Sequence, residues 1–501
     1  MNAPGPLIPG FNPDPSIVLV DGWYYLVTST FEYLPGIPVY RSADLVDWEQ
    51  VGNVITRPEQ LDLRGVPTPG GVWAPTIRHR DGVFHVIVTV MFAPQGCVVF
   101  TADDPAGPWS DGTRIGVVDG IDPDLVWDDD GTALVTFAAI GRGIQQVAVD
   151  LGTGEALEQV RPLWSGSGLY APEGPHVHRH GDLWYLLVAE GGTDRGHAVS
   201  VARGPSPRGP FTGNPANPVL SARSTGFPVQ NLGHADLVET PDGGTAAVLL
   251  GVRPVGFIAT FSPLGRETFL APVEWVDGWL RARMPRPGSE PAAGSFSVDF
   301  RDPGAELDHG WIASRRFPDE VASLSAVPGV LTIVGTQDGL RDPAPAFVGR
   351  RQTHLSATVS TRLAPSAGVG GLAARHSEVH WFSIEAQRVD SATQITARAS
   401  LAGFEHVWQA TLPGDEVELR IESVSPTVEL TGTPILGGDR IRLIAADQSG
   451  EVVLAELDGR YWSHETTQTF TGRVVGMFAA EGQVGFLDFR YEGWDGTAEP
   501  S

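Results

Sequence analysis

Short apolar runs separated by turn residues recur along the chain as far as Trp279, and amphipathic helix spacing is essentially missing. Each unit has an apolar run, a turn glycine and a second β-rich run, and the first four begin with a proline-containing segment. The first reads Asn12-Pro-Asp14-Pro-Ser-Ile17-Val18, then Asp21-Gly22, then Trp23-Tyr-Tyr-Leu-Val27. The pattern returns from Trp73 around Asp81-Gly82, from Ile121 around Asp130-Gly131, from Ala171 around Gly181 and from Gly233 around Asp242-Gly243. Asp-Gly between extended runs signals a hairpin, because glycine accepts the positive φ of a type I′ turn. The turn glycines 22, 82, 131, 181 and 243 lie 60, 49, 50 and 62 residues apart. Five β-only units of this length predict four-stranded blades around an axis, a five-bladed β-propeller over residues 1–284.

Residues 285–295 form a Pro/Gly/Ser-rich linker. Beyond it the pattern changes to strict alternation, as in Val417-Glu-Leu419-Arg-Ile421 and Phe486-Leu-Asp-Phe489-Arg-Tyr491. Period-two alternation marks strands with one buried face, so residues 296–501 are expected to form a β-sandwich of jelly-roll type. The fold class is all-β throughout.

Composition narrows the chemistry. The 34 basic residues are all arginine, which leaves no lysine for a Schiff base or a phosphate loop. The single cysteine, Cys97, excludes an intramolecular disulfide, a redox pair and a multi-thiolate metal site. A formal net charge of −26 suits a neutral polar substrate rather than nucleic acid or an anionic membrane. The residues from Met1 to Gly10 show no signal segment, and no apolar run is long enough for a membrane helix. The expectation is a cytoplasmic protein, or a secreted one had a leader been removed; a homo-oligomer is compatible with either.

The innermost strand of each blade lines the channel, so its first residues ring one mouth. The repeat frame therefore gathers Asp14, Asp122 or Asp124, Glu173, and His234 or Asp236. Three carboxylates in a pocket for a neutral substrate suit glycoside hydrolysis, with a protonated acid for the leaving oxygen and an ionised one for water. Asp14, Asp122 and Glu173 each adjoin a proline at the start of an apolar strand, where an unused charge is costly. Asp21, Asp81, Asp130 and Asp242 read instead as turn formers. His176, His178 and His180 alternate and could share a zinc ion, although the run enters a hairpin turn and no fourth ligand is evident. His234 could orient a cation or water, or satisfy the core. Phe31 and Trp73 offer faces for a sugar ring. Arg253 could donate to a substrate hydroxyl, keep a carboxylate ionised, or form a structural pair.

At these motifs the chain resembles glycoside hydrolase family 43, the β-xylosidase and α-L-arabinofuranosidase family. The resemblance rests on Pro9–Ser16, Ser29–Pro38, Gly71–Ile77, Gly120–Pro123, Pro172–His176, Glu190–Thr193, Gly196–Val199, Gly233–Val238 and Leu264–Trp275. Past the linker, Gly349–Gln352 and Phe470–Met477 are similar to the concanavalin-type sandwich of the xylosidase branch. The resemblance implies inversion at the anomeric carbon, with Asp14 as general base, Asp122 tuning pKa and orientation, and Glu173 as general acid. It implies substrate contacts from Phe31, Trp73, Arg253, His234 and, more distantly, Phe470. His234 also matches a channel histidine near a bound cation, so a structural Ca²⁺ is expected there and no cofactor for the chemistry. The implied substrate is a xylo-oligosaccharide or arabinoxylo-oligosaccharide that loses its terminal pentose, most simply to a β-xylosidase. The alternatives are an α-L-arabinofuranosidase and a non-catalytic carbohydrate-binding propeller. Two departures stand out: Asp124 occupies a position that is serine in many relatives, a fourth carboxylate crowding the site, and Phe137-Ala-Ala-Ile-Gly141 lacks a tryptophan found in some.

Overall fold

The computed structural model describes residues 5–256, 260–285, 293–364, 368–425 and 438–495. It divides into two compact units, one of residues 1–253 with 266–288 and one of residues 254–265 with 289–501. The sequence pattern had assigned 254–265 to the propeller.

The first unit is a five-bladed β-propeller, each blade a four-stranded antiparallel meander. The innermost strands are Ser16–Val20, Gly71–Arg80, Ile121–Trp127, Glu173–His180 and Gln230–Glu239. They pack on one another in a closed ring, each followed by its hairpin partner at the expected turn. The N-terminal segment completes the ring: Ile8 bridges Thr268 in the third strand of the fifth blade, and Leu7 N donates to Thr268 O at 2.7 Å. Second strands such as Ala133–Ala139 and Leu183–Glu190 are almost wholly buried, because blades cover both of their faces. That explains why they read as continuous apolar runs. One cluster, for example, gathers Leu125, Val135, Phe137 and Val147 of the third blade with Ile87, Cys97 and Val99 of the second.

The second unit is a concanavalin-like sandwich. Among the described residues it has a nine-stranded and a six-stranded antiparallel sheet. One core joins them, with Leu419, Ile421 and Leu443 from the larger sheet and Leu372, Ile384 and Met477 from the smaller. Residues 286–292 of the expected linker lie outside the described residues, and strand Gly294–Asp299 already belongs to the sandwich, paired with Asp488–Trp494.

Candidate active site

The inner strands carry an irregularity that periodicity does not show. In the third, fourth and fifth blades the register skips between Ile121 and Asp124, between Glu173 and His176, and between Gly233 and Asp236. At each skip one residue turns left-handed: Asp122 at φ 54°, Gly174 at 54° and His234 at 52°. Asp14, two residues ahead of Ser16 in the first blade, matches them at 57°. A bulge of this kind re-aims a side chain. A non-glycine residue pays roughly 1–2 kcal/mol to hold it, and such strain concentrates where function needs it.

The bulges sort the polar residues into two levels. At the mouth, Asp14 accepts from Ser29 Oγ at 2.6 Å and from Arg266 Nη1 at 3.2 Å, with His234 Nδ1 at 3.7 Å. Asp122 accepts the Gly174 N–H at 3.0 Å. Glu173 occupies the register position of Ile121 and Gly233, one residue ahead of the left-handed site, so it is offset from Asp122 rather than equivalent to it. The left-handed site in that blade is Gly174, where a Cβ would lie 2.9 Å from the His234 ring.

Deeper in the channel, Arg78 donates to Asp124 Oδ1 at 2.6 Å and to Asp236 Oδ2 at 2.9 Å, and its Nη2 lies 3.1 Å from His176 Nδ1. Asp236 also accepts from Ser16 Oγ at 2.7 Å and meets His178 Nε2 at 2.7 Å. Asp124 accepts the Val177 N–H. The expected crowding by Asp124 is therefore corrected: its charge is answered by Arg78, away from the Asp14 group. The expected choices resolve as Asp122 and His234 at the mouth, with Asp124 and Asp236 below. The zinc alternative fails on geometry, since His176 and His178 face this ion-pair cluster while His180 stacks on Trp275 with ring centroids 3.8 Å apart.

The mouth carboxyls differ in protonation. Burial works to raise Asp14, but the Arg266 charge, His234 and the Ser29 hydrogen bond outweigh it and leave the carboxyl below its ordinary value. Burial and the nearby Asp14 charge push Glu173 up to about 7. Asp122 rises well above its ordinary value through burial and the Glu173 and Asp14 charges. Burial lowers His234 to about 3 and His197 to about 4, so both rings are neutral near pH 7. One pocket thus holds an ionised carboxylate beside protonated acids, the asymmetry that acid–base catalysis requires.

Phe31 is buried, in the left-handed region, with the Arg266 guanidinium 5.5 Å from its ring centroid. Trp73 is half-buried at the start of its inner strand, its Nε1 bonded to Pro69 O. Beside Glu173 opens a cavity of about 610 Å³ bounded by Ile121, Ala138–Gly143 and Leu169–Pro172, so the tryptophan-free segment of the third blade forms one wall. Of the alternatives open for Arg253, the structure shows a carboxylate pair. Its Nε and Nη2 donate to the Glu267 carboxylate at 2.7 and 2.9 Å, and the arginine on Asp14 is Arg266. Arg266 and Arg78 were both missed. Arg266 lies inside the motif Leu264–Trp275, and Arg78 is a charged residue on an inner strand, a signal that was available. Phe470 lies in the second unit, half-buried between helix His464–Thr467 and strand Val474–Glu481.

The surroundings of His234 do not fit a calcium ion held by side chains. Among the described residues Asp14 is its near acidic neighbour, and its ring lies 5.9 Å from that of His176, which contacts the Arg78 guanidinium. Among the described residues no group of three or more His, Cys, Asp or Glu side chains is placed to hold a metal.

A propeller whose channel mouth gathers two buried carboxyls, Asp14 and Asp122, with the half-buried Glu173, in unequal protonation states, defines a carboxylate glycosidase. The model of glycosyl hydrolases family 43 matches residues 3–280, and that of the β-xylosidase C-terminal concanavalin A-like domain matches residues 297–492. The chain belongs to glycosyl hydrolase family 43. It is 40% identical over 380 residues to a non-reducing end α-L-arabinofuranosidase of Bacteroides ovatus, covering 72% of this chain and 70% of that one. It is 30% identical over 514 residues to a xylosidase/arabinosidase of Humicola insolens, covering 95% and 94%. The solved xylan β-1,4-xylosidase of Bacillus halodurans superposes with a TM-score of 0.85 at 28% identity, covering 98% of this chain and all of that one (100%).

Proposed function

We propose that this glycosidase removes terminal pentose units from xylan- or arabinoxylan-derived oligosaccharides with inversion, acting as a β-xylosidase. What supports the mechanism is the asymmetry at the mouth: Ser29 Oγ at 2.6 Å and Arg266 Nη1 at 3.2 Å donate to Asp14 and favour its ionised form, while burial and the Asp14 charge favour the protonated form of Glu173. Asp14 takes a proton from water as the water oxygen bonds to the anomeric carbon. Glu173 gives its proton to the glycosidic oxygen as that bond breaks, so the proton count balances and the configuration inverts. Asp122 accepts the N–H that follows Glu173 and so orients the acid through the backbone.

Relatives named for xylosidase and for arabinofuranosidase activity support both pentosides as substrates. The test compares hydrolysis of p-nitrophenyl β-D-xylopyranoside and α-L-arabinofuranoside while NMR follows the first-formed anomer of xylobiose. Faster xyloside hydrolysis with α-xylose formed first is the expected outcome. Faster arabinofuranoside hydrolysis would assign the alternative specificity, and a retained anomer would overturn the roles given to Asp14 and Glu173.

A further inference from the structure

The six-stranded sheet of the sandwich breaks its own alternation. In strand His380–Val389, Phe382, Ile384 and Ala386 belong to the core. Trp381, Ser383 and Glu385 therefore point to the opposite face, yet they are 3%, 0% and 3% exposed. In the next strand, Ala392–Leu401, Ile395, Ala397 and Ala399 enter the core; of the residues that face away Thr396 is buried as well, while Gln394 and Arg398 are half-buried. A solvated outer face would leave such residues open. Here the segment around Gly339–Arg341 covers them, joined to the far strand Phe404–Leu412 by the Arg341–Glu405 ion pair.

Between this cover and the sheet lies a cavity of about 260 Å³, lined among others by Trp381, Ser383, Glu385, Gln394, Arg398 and Gln409. Its chemistry is that of a polyol site. Arg398 Nε donates to Glu385 Oε1 at 2.8 Å, which sets a guanidinium beside a carboxylate with the two charges opposed. Amides supply both donors and acceptors, and an indole adds an apolar wall. The Ser383 hydroxyl is fully buried without a hydrogen-bond partner, an unmet donor and acceptor that costs stability unless something fills the cavity. Burial also raises the Glu385 carboxyl, which suits an uncharged occupant. The volume lies just below the range of ordinary ligand pockets, about 300–1,000 Å³, which limits an occupant to about one sugar ring.

We infer that this cavity is a second carbohydrate site, distinct from the catalytic pocket, that takes the end of a neutral pentose oligosaccharide. The choice of pentose rests on the activity proposed above, whereas the site itself rests on the sandwich alone. Calorimetry of the full-length Glu173→Ala protein with xylobiose tests it. The expected result is two equivalents bound. Ser383→Val, which removes the hydroxyl and fills the cavity, and Gln409→Trp, which blocks its exposed rim, should each weaken one equivalent about tenfold or more. In the otherwise wild-type chain both substitutions should leave kcat/KM on aryl pentosides unchanged. Gln409 is exposed, so its variant reports even where Ser383→Val fails to fold. A single equivalent that neither substitution affects, or two equivalents that both survive them, would overturn the inference. If no pentoside is hydrolysed but Gln409→Trp still abolishes sugar binding, the sandwich site stands and the catalytic proposal falls.

Discussion

At the scale of single residues, the mouth works through charges that burial makes expensive. Glu173 should set the alkaline limb of kcat/KM, with activity falling above an apparent pKa of about 7. The Glu173→Gln variant should lose that limb and about 10²–10⁴-fold of its rate on xylobiose, and less on an aryl glycoside whose leaving group needs little protonation. The same group affects stability. Its folded value of about 7 exceeds its ordinary 4.5, so the folded state binds the extra proton between those values. Stability contributed by Glu173 is therefore complete below about 4.5 and is lost as pH rises through about 7, and Glu173→Gln should flatten Tm across that window. Arg266 opposes the effect of burial on both Asp14 and Glu173. Arg266→Met should move both limbs of the pH–rate profile upward, so the loss of kcat/KM is larger at pH 5 than at pH 7. The repeat frame singled out Asp14 and Glu173 by placing both near the starts of inner strands, although the register sets Glu173 one residue ahead of the left-handed position that Asp14 occupies. Sequence alone singled out Arg253 and gave Arg266 no role, because a guanidinium paired with Glu267 and one on Asp14 look alike until the strands are placed.

At the scale of elements, the inner-strand bulges decide which acids turn to the channel mouth and which join the Arg78 cluster. Gly174 carries the bulge of the fourth blade at φ 54°, where an added Cβ would lie 2.9 Å from the His234 ring. Gly174→Ala should cost roughly 1–3 kcal/mol in denaturant unfolding and lower kcat, because the added methyl pushes on His234 and on the N–H that holds Asp122. Arg78 acts across four of the inner strands. Its guanidinium, 12% exposed, answers Asp124 and Asp236, both fully buried. Arg78→Met should destabilise the propeller by about 3–5 kcal/mol, measured by urea unfolding, since it strands two buried carboxylates. These bulges were not legible in the sequence. A period-two pattern records which face is buried, whereas one extra residue in a strand leaves no compositional trace when proline and aspartate are common throughout.

At the scale of the whole molecule, the channel already holds a side-chain cation, Arg78, and the proposed chemistry uses carboxyl groups alone. Dialysis against a chelator should leave both kcat/KM and Tm unchanged; a fall in either that added Ca²⁺ restores would put a metal at His234 after all. The blade number, the all-β class, the sandwich and the set of acids worth testing were determined by sequence alone, because hairpin turns and alternation are local and repeat visibly. Tertiary structure decided which of those acids share a pocket, which arginine holds Asp14 ionised and which polar residues belong to the lower ion-pair cluster. It alone shows the buried polar cavity on the sandwich. The physical reason is common to all of these. Local pattern reports burial of a face, while protonation and partnership depend on distances of a few ångströms between residues hundreds of positions apart, as with Asp14 and Arg266.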